Sequence, residues 1–234
     1  MDRSRIAIVM PALNEADSIG SVVEQATHYG LPIVVDDGST DDTGKIARAA
    51  KAEVVRHERN YGYDRALESG FARAASLDCE LVITMDADGQ HNVDLLQHFV
   101  SELDRGAEVV IGVRNRRQRV SEHLFAWVAN WLWGVSDPLC GMKGYRISVY
   151  RQLGHFDSYS SIGTELALYA ARNGFRISQI PVLCRERIGT PRFGGSLLAN
   201  WRILRSLILS FIRTIVPQSG GRDSIKADAE SEDR

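Results

Sequence analysis

The sequence is poor in the features that mark disulfide-rich, membrane-spanning and nucleic-acid-binding proteins. It has three cysteines, an odd number without CxxC spacing, which argues against a disulfide framework and a zinc site. The longest strongly apolar segment without a charge, 124–136, is well short of the roughly 20 residues that span a bilayer. A formal net charge of -2 argues against nucleic-acid binding by bulk attraction. The first apolar run, 6–10, is too short for a signal peptide, so we expect a cytoplasmic location.

Short apolar runs rich in β-branched residues alternate with helical patterns along the chain. The strand-like runs lie at residues 6–10, 32–37, 53–55, 81–85, 108–113 and 175–183. Because these runs are apolar on both faces, the alternation predicts an α/β fold with a mostly parallel central sheet flanked by helices. The composition, 44% hydrophobic and 25% charged, is typical of a soluble globular protein.

Three of the predicted strands end in polar segments: PALNE (11–15), DDGSTDD (36–42) and DADGQH (86–91). Ligands bind outside the carboxyl ends of strands in open parallel sheets. In a strand, Asp86 and Asp88 would point to the same face, and two carboxylates held together require a cation. Their hard oxygen ligands favour Mg²⁺ or Mn²⁺. The alternative is an aspartate-rich turn that caps the next helix.

The second polar segment allows two interpretations. Ser39, Thr40 or Asp41 could simply cap the helix that follows. Asp36 or Asp37, at the end of the strand, could instead accept hydrogen bonds from a nucleotide base or ribose.

The second half of the chain is basic and aromatic. Four arginines lie in RNRRQR (114–119), and Trp127, Trp131 and Trp133 follow. Residues 196–216 form an amphipathic pattern in which Arg202, Arg205 and Arg213 fall within an arc of about 80°. Such a helix suits the headgroup plane of an anionic membrane, and the alternative is a core helix or a homo-oligomer interface. The polar, acidic tail, 217–234, is predicted to be disordered.

An ordered series of motifs resembles family 2 glycosyltransferases of the GT-A fold. The motifs are IAIVMPALNEADSI, VVDDGSTDDT, RNYGYDRALESG, LVITMDADGQH, DPLCGMKGYR and the RERIG stretch. Within that family the chain most resembles the polyprenol-phosphate sugar transferases. The resemblance covers about residues 5–195, so we expect a catalytic domain over 1–195.

The resemblance implies an inverting, metal-dependent hexosyltransferase that moves a sugar from a GDP- or UDP-linked donor to a polyprenyl phosphate. Its membrane contact would be peripheral, on the inner face of the membrane. It assigns the nucleotide sugar to Pro11, Leu13, Glu15, Asp37, Asp86, Arg114 and Arg117. It assigns the divalent metal, Mg²⁺ or Mn²⁺, to Asp86, Asp88 and Gln90. It assigns the acceptor or its phosphate to Arg185, Arg187 and Arg192.

The resemblance makes Asp137 the candidate base or acceptor-positioning group, although it could be a turn residue before Pro138. A lipid phosphate needs no base, because its second ionisation lies near pH 6. The chain departs from many relatives at Tyr61–Arg65, where a Gly-Lys or Gly-Gly pair is usual. It also has Thr190-Pro191-Arg192 where Ser-Lys is common.

Three competing hypotheses belong to other classes. A soluble family 2 transferase acting on a saccharide or protein is the main one. A haloacid-dehalogenase phosphatase shares a DxDG turn, but it places that turn near the start of its domain. A membrane-associated protein without enzymatic activity would not require the intact DxD motif. A processive polysaccharide synthase would carry QxxRW, which is absent.

Overall fold

A seven-stranded sheet organises the chain, and the computed structural model describes residues 2–89, 92–117, 119–183 and 196–215. The strands are β1 (Ile6–Ala12), β2 (Leu31–Asp36), β3 (Glu53–Arg56), β4 (Leu81–Thr84), β5 (Val109–Arg114), β6 (Lys143–Arg146) and β7 (Ile177–Val182). Their order is β3-β2-β1-β4-β6-β5-β7. All neighbouring strands are parallel except β6, which is antiparallel to β4 and β5. The predicted, mostly parallel sheet is confirmed.

Helices cover both faces of this sheet. They are α1 (Ile19–Ala26), α2 (Thr43–Ala49), α3 (Tyr63–Ser76), α4 (Leu96–Asp104), α5 (Val120–Trp133), α6 (Ile147–Leu153), α7 (Glu165–Arg172) and α8 (Ser196–Ile215). In β1, Ile8 and Met10 face one apolar core, while Ala7 and Val9 face the other. A Cβ added at Gly70 would lie 2.3 Å from Cγ1 of Val9, so this glycine lets α3 lie close against β1.

Strand β6 was not predicted, because its sequence KGYR has neither apolar alternation nor length. Its pairing comes from tertiary contacts: the Thr84 hydroxyl donates to the Gly141 carbonyl at 2.7 Å and accepts from the Lys143 amide at 3.1 Å. Because β6 runs antiparallel beside β4, the segment before it lies next to the end of β4. The fold thereby brings residues 137–141 to the polar edge of the sheet.

Helix α8 is amphipathic, and its serine side packs onto the domain. Ser206 donates to the Ser161 carbonyl at 2.7 Å, and both Ser206 and Ser210 are fully buried. Arg213 forms an ion pair with Glu165 of α7. Of the predicted basic arc, Arg213 therefore holds the helix onto α7, while Arg202 and Arg205 stay exposed beside the apolar residues of the outer face.

The outer face of α8 and the neighbouring face of α5 expose large apolar side chains. On α8 these are Leu197, Leu198, Trp201, Ile208, Phe211 and Ile212. On α5 they include Trp127 and Trp131, whose rings stack with centroids 6.4 Å apart, whereas Trp133 is half-buried under Arg172. No helix in the described part of the chain combines the length and the apolar character that crossing a bilayer requires. Residue 216 and the predicted tail, 217–234, lie outside the described residues.

Candidate functional site

The three polar segments predicted from the sequence meet at one edge of the sheet. β1 lies between β2 and β4, and all three run parallel, so their carboxyl ends are adjacent. Side chains join the loops that follow: the Glu15 amide donates to the Thr43 hydroxyl at 2.8 Å, and the Thr40 amide donates to the Asn14 side-chain oxygen at 2.8 Å. The Ser18 hydroxyl donates to the Ala87 carbonyl at 2.9 Å. The loops after β1, β2 and β4 thus form one connected polar surface.

Asp86 and Asp88 lie in the turn after β4, which ends at Thr84, rather than in the strand itself. Both are half-buried, whereas Ala87 between them is buried. Gly89 has φ of +73°, a left-handed conformation that favours glycine. Gly141 leaves space for Asp86, because a Cβ there would lie 2.5 Å from its Oδ2.

This donor set fits a divalent cation that also binds the ligand. Mg²⁺ typically takes one or two carboxylates and completes its shell with phosphate oxygens and water. Within the described ranges no group of three or more His, Cys, Asp or Glu side chains could hold a metal ion by itself. The pair at Asp86 and Asp88 therefore suits a metal that arrives with a diphosphate. Gln90, assigned to the same metal, lies outside the described residues.

Asp37 lies at the end of β2 and organises the loop before α3. Its carboxylate accepts hydrogen bonds from the Tyr61 amide at 2.9 Å and from the Gly62 amide at 2.8 Å. Nδ1 of His57 lies 2.6 Å from the same carboxylate. The side chain is buried, so its first role is to fix residues 57–62 against the edge of the sheet. Pro11 near the end of β1, and Leu13 and Glu15 in the loop that follows it, are half-buried.

Asp137, which is buried, pairs with the half-buried Arg114 at the edge of the sheet. The Asp137 carboxylate accepts from the Arg114 amide at 3.0 Å, from Nε at 2.8 Å and from Nη2 at 2.9 Å. Glu122 lies 3.4 Å from the same guanidinium. Burial alone would lower the pKa of Arg114, but the hydrogen bond to Asp137 and the nearby negative charges raise it. The guanidinium predicted to neutralise phosphate is thus engaged by Asp137 and Glu122.

Arg117 is held close to the same pair. Its Nη2 donates to the Ser136 carbonyl at 2.7 Å, one residue before Asp137. Its Nε is buried and has no hydrogen-bond partner among the residues that the structure describes. The other predicted phosphate contacts, Arg185, Arg187 and Arg192, fall outside the described residues.

Sequence reasoning missed several residues that support the site. The Tyr63 hydroxyl lies 3.4 Å from Oδ1 of Asp86. The buried Lys143 ammonium donates to the carbonyls of Cys140 at 2.6 Å and Gly163 at 3.0 Å, and burial lowers its pKa. Lys143 and Gly141 belong to DPLCGMKGYR, so that motif could have indicated them. No pattern around Tyr63 distinguishes it from a surface tyrosine.

Asp64, at the start of α3, has a raised pKa of about 6, caused by burial and by the negative charge of Asp157. Hydrogen bonds from the Gly163 and Ile162 amides, at 2.6 and 3.3 Å, oppose the shift. Between pH 4 and 6 the folded state binds more protons than the unfolded state, so its stability falls as pH rises.

Replacing Asp64 with asparagine should remove that part of the pH dependence. We expect the free energy of unfolding of the native chain to fall, relative to Asp64→Asn, by on the order of 2 kcal/mol between pH 4 and pH 7. Urea denaturation at both pH values measures this difference, with the exposed Asp104→Asn as the control. Parallel pH profiles for the native chain and Asp64→Asn would contradict the assignment.

Known proteins of the same type match most of this chain. A family model described as Glycosyl transferase family 2 matches residues 7–154. The dolichyl-phosphate hexose transferase of Haloferax volcanii is 32% identical over 212 residues, covering 83% of this chain and 91% of that protein. The polyprenol monophosphomannose synthase of Mycolicibacterium smegmatis is 26% identical over 226 residues, covering 82% of each chain.

A solved structure has the same fold. Glucosyl-3-phosphoglycerate synthase from Mycobacterium tuberculosis, in complex with uridine diphosphate, superimposes with a TM-score of 0.72 at 25% sequence identity. The match covers 92% of this chain and 82% of that one. Other structures of that synthase contain Mn²⁺ or Mg²⁺ together with uridine diphosphate. The likeness confirms the predicted GT-A architecture.

Proposed function

Since the chain belongs to glycosyltransferase family 2, we propose that it transfers a sugar from a nucleoside diphosphate sugar to a polyprenyl phosphate at a membrane surface. The observation that carries this proposal is that Tyr63, whose hydroxyl lies 3.4 Å from Oδ1 of Asp86, lines a cavity together with α8, a helix that exposes an apolar face. The named relatives that transfer sugars to dolichyl or polyprenol phosphates support the choice of acceptor.

The donor binds along the edge of the sheet in this proposal. Asp86 and Asp88, together with Gln90, would hold Mg²⁺ or Mn²⁺ at the donor diphosphate. When bound, the ion supplies a Lewis acid that stabilises the leaving nucleoside diphosphate. Residues 11–15, at the end of β1 and in the loop after it, and the loop fixed by Asp37 border the space for the base and ribose. Arg117, which donates to the Ser136 carbonyl beside Asp137, supplies a positive charge for the donor diphosphate.

The acceptor attacks the anomeric carbon from the side opposite the diphosphate, because family 2 enzymes invert that centre. A sugar hydroxyl would need a general base for this attack. A lipid phosphate does not, since its second pKa lies near 6 and it is already largely a dianion at neutral pH. Asp37 and Asp137, two of the three carboxylates predicted for the site outside the DxD motif, are already held by hydrogen-bond donors. Their engagement favours an acceptor that carries its own charge.

Sugar transfer is tested directly with the full chain, Mn²⁺ or Mg²⁺, a panel of sugar nucleotides and undecaprenyl or dolichyl phosphate. Release of nucleoside diphosphate that requires both the metal and the lipid phosphate is the expected result. Transfer to a soluble saccharide or protein, with no response to the lipid phosphate, would replace the proposal with the soluble alternative.

The membrane contact is assigned to the outer faces of α5 and α8. Trp127 and Trp131 on α5 are 68% and 75% exposed, and Trp201 on α8 is 59% exposed. Aromatic rings favour the interfacial region of a bilayer, and the exposed Arg202 and Arg205 lie beside the apolar residues of α8, where they suit anionic headgroups. The proposed location is the cytoplasmic, inner face of the membrane.

Removing one of these tryptophans should weaken membrane binding. We expect Trp127→Ser, Trp131→Ser and Trp201→Ser each to lower the partition coefficient onto anionic vesicles by about tenfold or more, because a buried large apolar side chain contributes roughly 1.5–3 kcal/mol. Vesicle flotation measures this. Leu77→Ser is the matched control, since Leu77 is an exposed apolar residue at the far end of α3. Unchanged flotation of all three variants would assign these faces to another partner, and light scattering would then test a homo-oligomer.

A further inference from the structure

A cavity of about 670 Å³ opens between the N-terminus of α3, the loop 157–162 and α8. Tyr63 lines it, and the Tyr63 hydroxyl lies 3.4 Å from Oδ1 of Asp86. The Tyr63 side chain therefore joins the wall of the cavity to the turn of Asp86 and Asp88. Three arginines line it: Arg65 from α3, and Arg202 and Arg205 from α8.

The carboxylates that line the cavity already accept hydrogen bonds from residues of the cavity walls. Asp64 accepts from the Ile162 and Gly163 amides, and Asp157 accepts from the Ser160 and Ser161 amides. Glu68 accepts from the Tyr150 hydroxyl at 2.8 Å and from the Phe156 amide at 2.6 Å. These hydrogen bonds fix the loop 156–163 against α3. They also stabilise the negative charges where they lie.

The arginines are much less engaged. Arg205 donates through Nη1 to the Tyr159 carbonyl at 2.9 Å. Arg65 and Arg202 form no hydrogen bond or ion pair with any other residue in the part of the chain that the structure describes. Arg65 on α3 and Arg202 on α8 thus face the cavity from two walls, and planar guanidinium groups suit the oxygens of a phosphate.

The rest of the α8 wall is apolar. Leu198 and Trp201 line the cavity, and both also belong to the exposed outer face of the helix. A ligand whose phosphate lay between Arg65 and Arg202 could continue over these side chains toward that face. The cavity thus combines an anion site with an apolar exit.

We propose that this cavity binds the acceptor's phosphate, with Arg65 and Arg202 as its ligands and Trp201 and Leu198 against the first isoprenoid units. The inference rests on the proposed function, which it deepens by locating the acceptor. It also explains the departure at Tyr61–Arg65: Asp64 holds the wall at residues 162 and 163, and Arg65 supplies a phosphate donor. Arg202 has this role in addition to any contact with lipid headgroups.

Calorimetric titration of the full chain with farnesyl phosphate, farnesol and inorganic phosphate tests this site. We expect farnesyl phosphate to bind the native chain more tightly than either fragment. Arg65→Gln and Arg202→Gln should each weaken it by about 10- to 100-fold, since a hydrogen bond between charged groups is lost. Arg202→Lys should recover part of the affinity. Arg48→Gln, on the exposed surface of α2, is the matched control and should bind as the native chain does.

Equal affinity of both glutamine variants and the native chain would overturn the inference, and so would the absence of binding to the native chain. Tight binding of inorganic phosphate with no gain from the farnesyl group would overturn the acceptor assignment. Binding of farnesyl phosphate without sugar transfer to any lipid phosphate would count against the proposed function and leave the site standing.

Discussion

Asp88→Asn is expected to lower the rate of sugar transfer by about 10³-fold or more while the fold is retained. The carboxylate is half-buried in a turn on the surface of the sheet edge, and its side chain contributes nothing to either apolar core. Its loss removes one of two carboxylates from the proposed metal site. A bound metal contributes several kcal/mol to stabilising charge in the transition state, and about 1.4 kcal/mol corresponds to tenfold in rate.

Two measurements separate a metal ligand from a structural residue here. The affinity for Mn²⁺ in the presence of the nucleoside diphosphate, followed by electron paramagnetic resonance, should fall with the activity. The thermal midpoint should stay within a few degrees of the native value. Asp104→Asn, an exposed carboxylate at the end of α4, is the matched control and should change neither. Native affinity for the metal in Asp88→Asn would remove Asp88 from the proposed site.

The architecture follows from periodicities that the sequence displays. The β/α alternation and the runs that are apolar on both faces predict the parallel sheet, because each buried strand must carry apolar side chains on two sides. β6 escaped prediction since KGYR is a strand only through its pairing with β4 and β5 on both sides. The position of β6 shapes the candidate site, because the segment just before this strand brings Gly141 against Asp86. Local patterns do not encode such antiparallel insertions.

The polar strand ends predicted where the site lies, but not which side chains are used up in building it. A sequence shows that Asp37, Arg114 and Asp137 are charged and close to strand ends. It does not show that Asp37 accepts from two loop amides, or that Arg114 and Asp137 satisfy each other. The same limit applies to the basic arc that was predicted on α8. Its spacing identified the arginines, whereas the pairing of Arg213 depends on Glu165, 48 positions away.

The second large effect is expected at the pair of Arg114 and Asp137. Asp137→Ala leaves a largely buried guanidinium, 19% exposed, with Glu122 as its remaining carboxylate, at 3.4 Å. Breaking a buried ion pair from one side typically costs about 3–5 kcal/mol, so the free energy of unfolding should fall by that amount. Urea denaturation measures it, and Glu122→Gln should cost less because Glu122 makes the longer contact.

A double-mutant cycle then decides between a base and a positioning residue. If Asp137 acts by holding Arg114, the variant with both Arg114→Met and Asp137→Leu removes both charges of the pair, while Glu122 keeps its contact with Arg119 at 3.3 Å. It should be more stable than Asp137→Ala, and it should lose no more transfer activity than Asp137→Ala alone. If Asp137 were a general base, Asp137→Asn would lower the turnover number by about 10²- to 10⁴-fold without a matching loss of stability, and removal of Arg114 would add a loss of its own. The three hydrogen bonds from Arg114 favour the first result, because they fix the carboxylate against the guanidinium and use three of its roughly four acceptor positions.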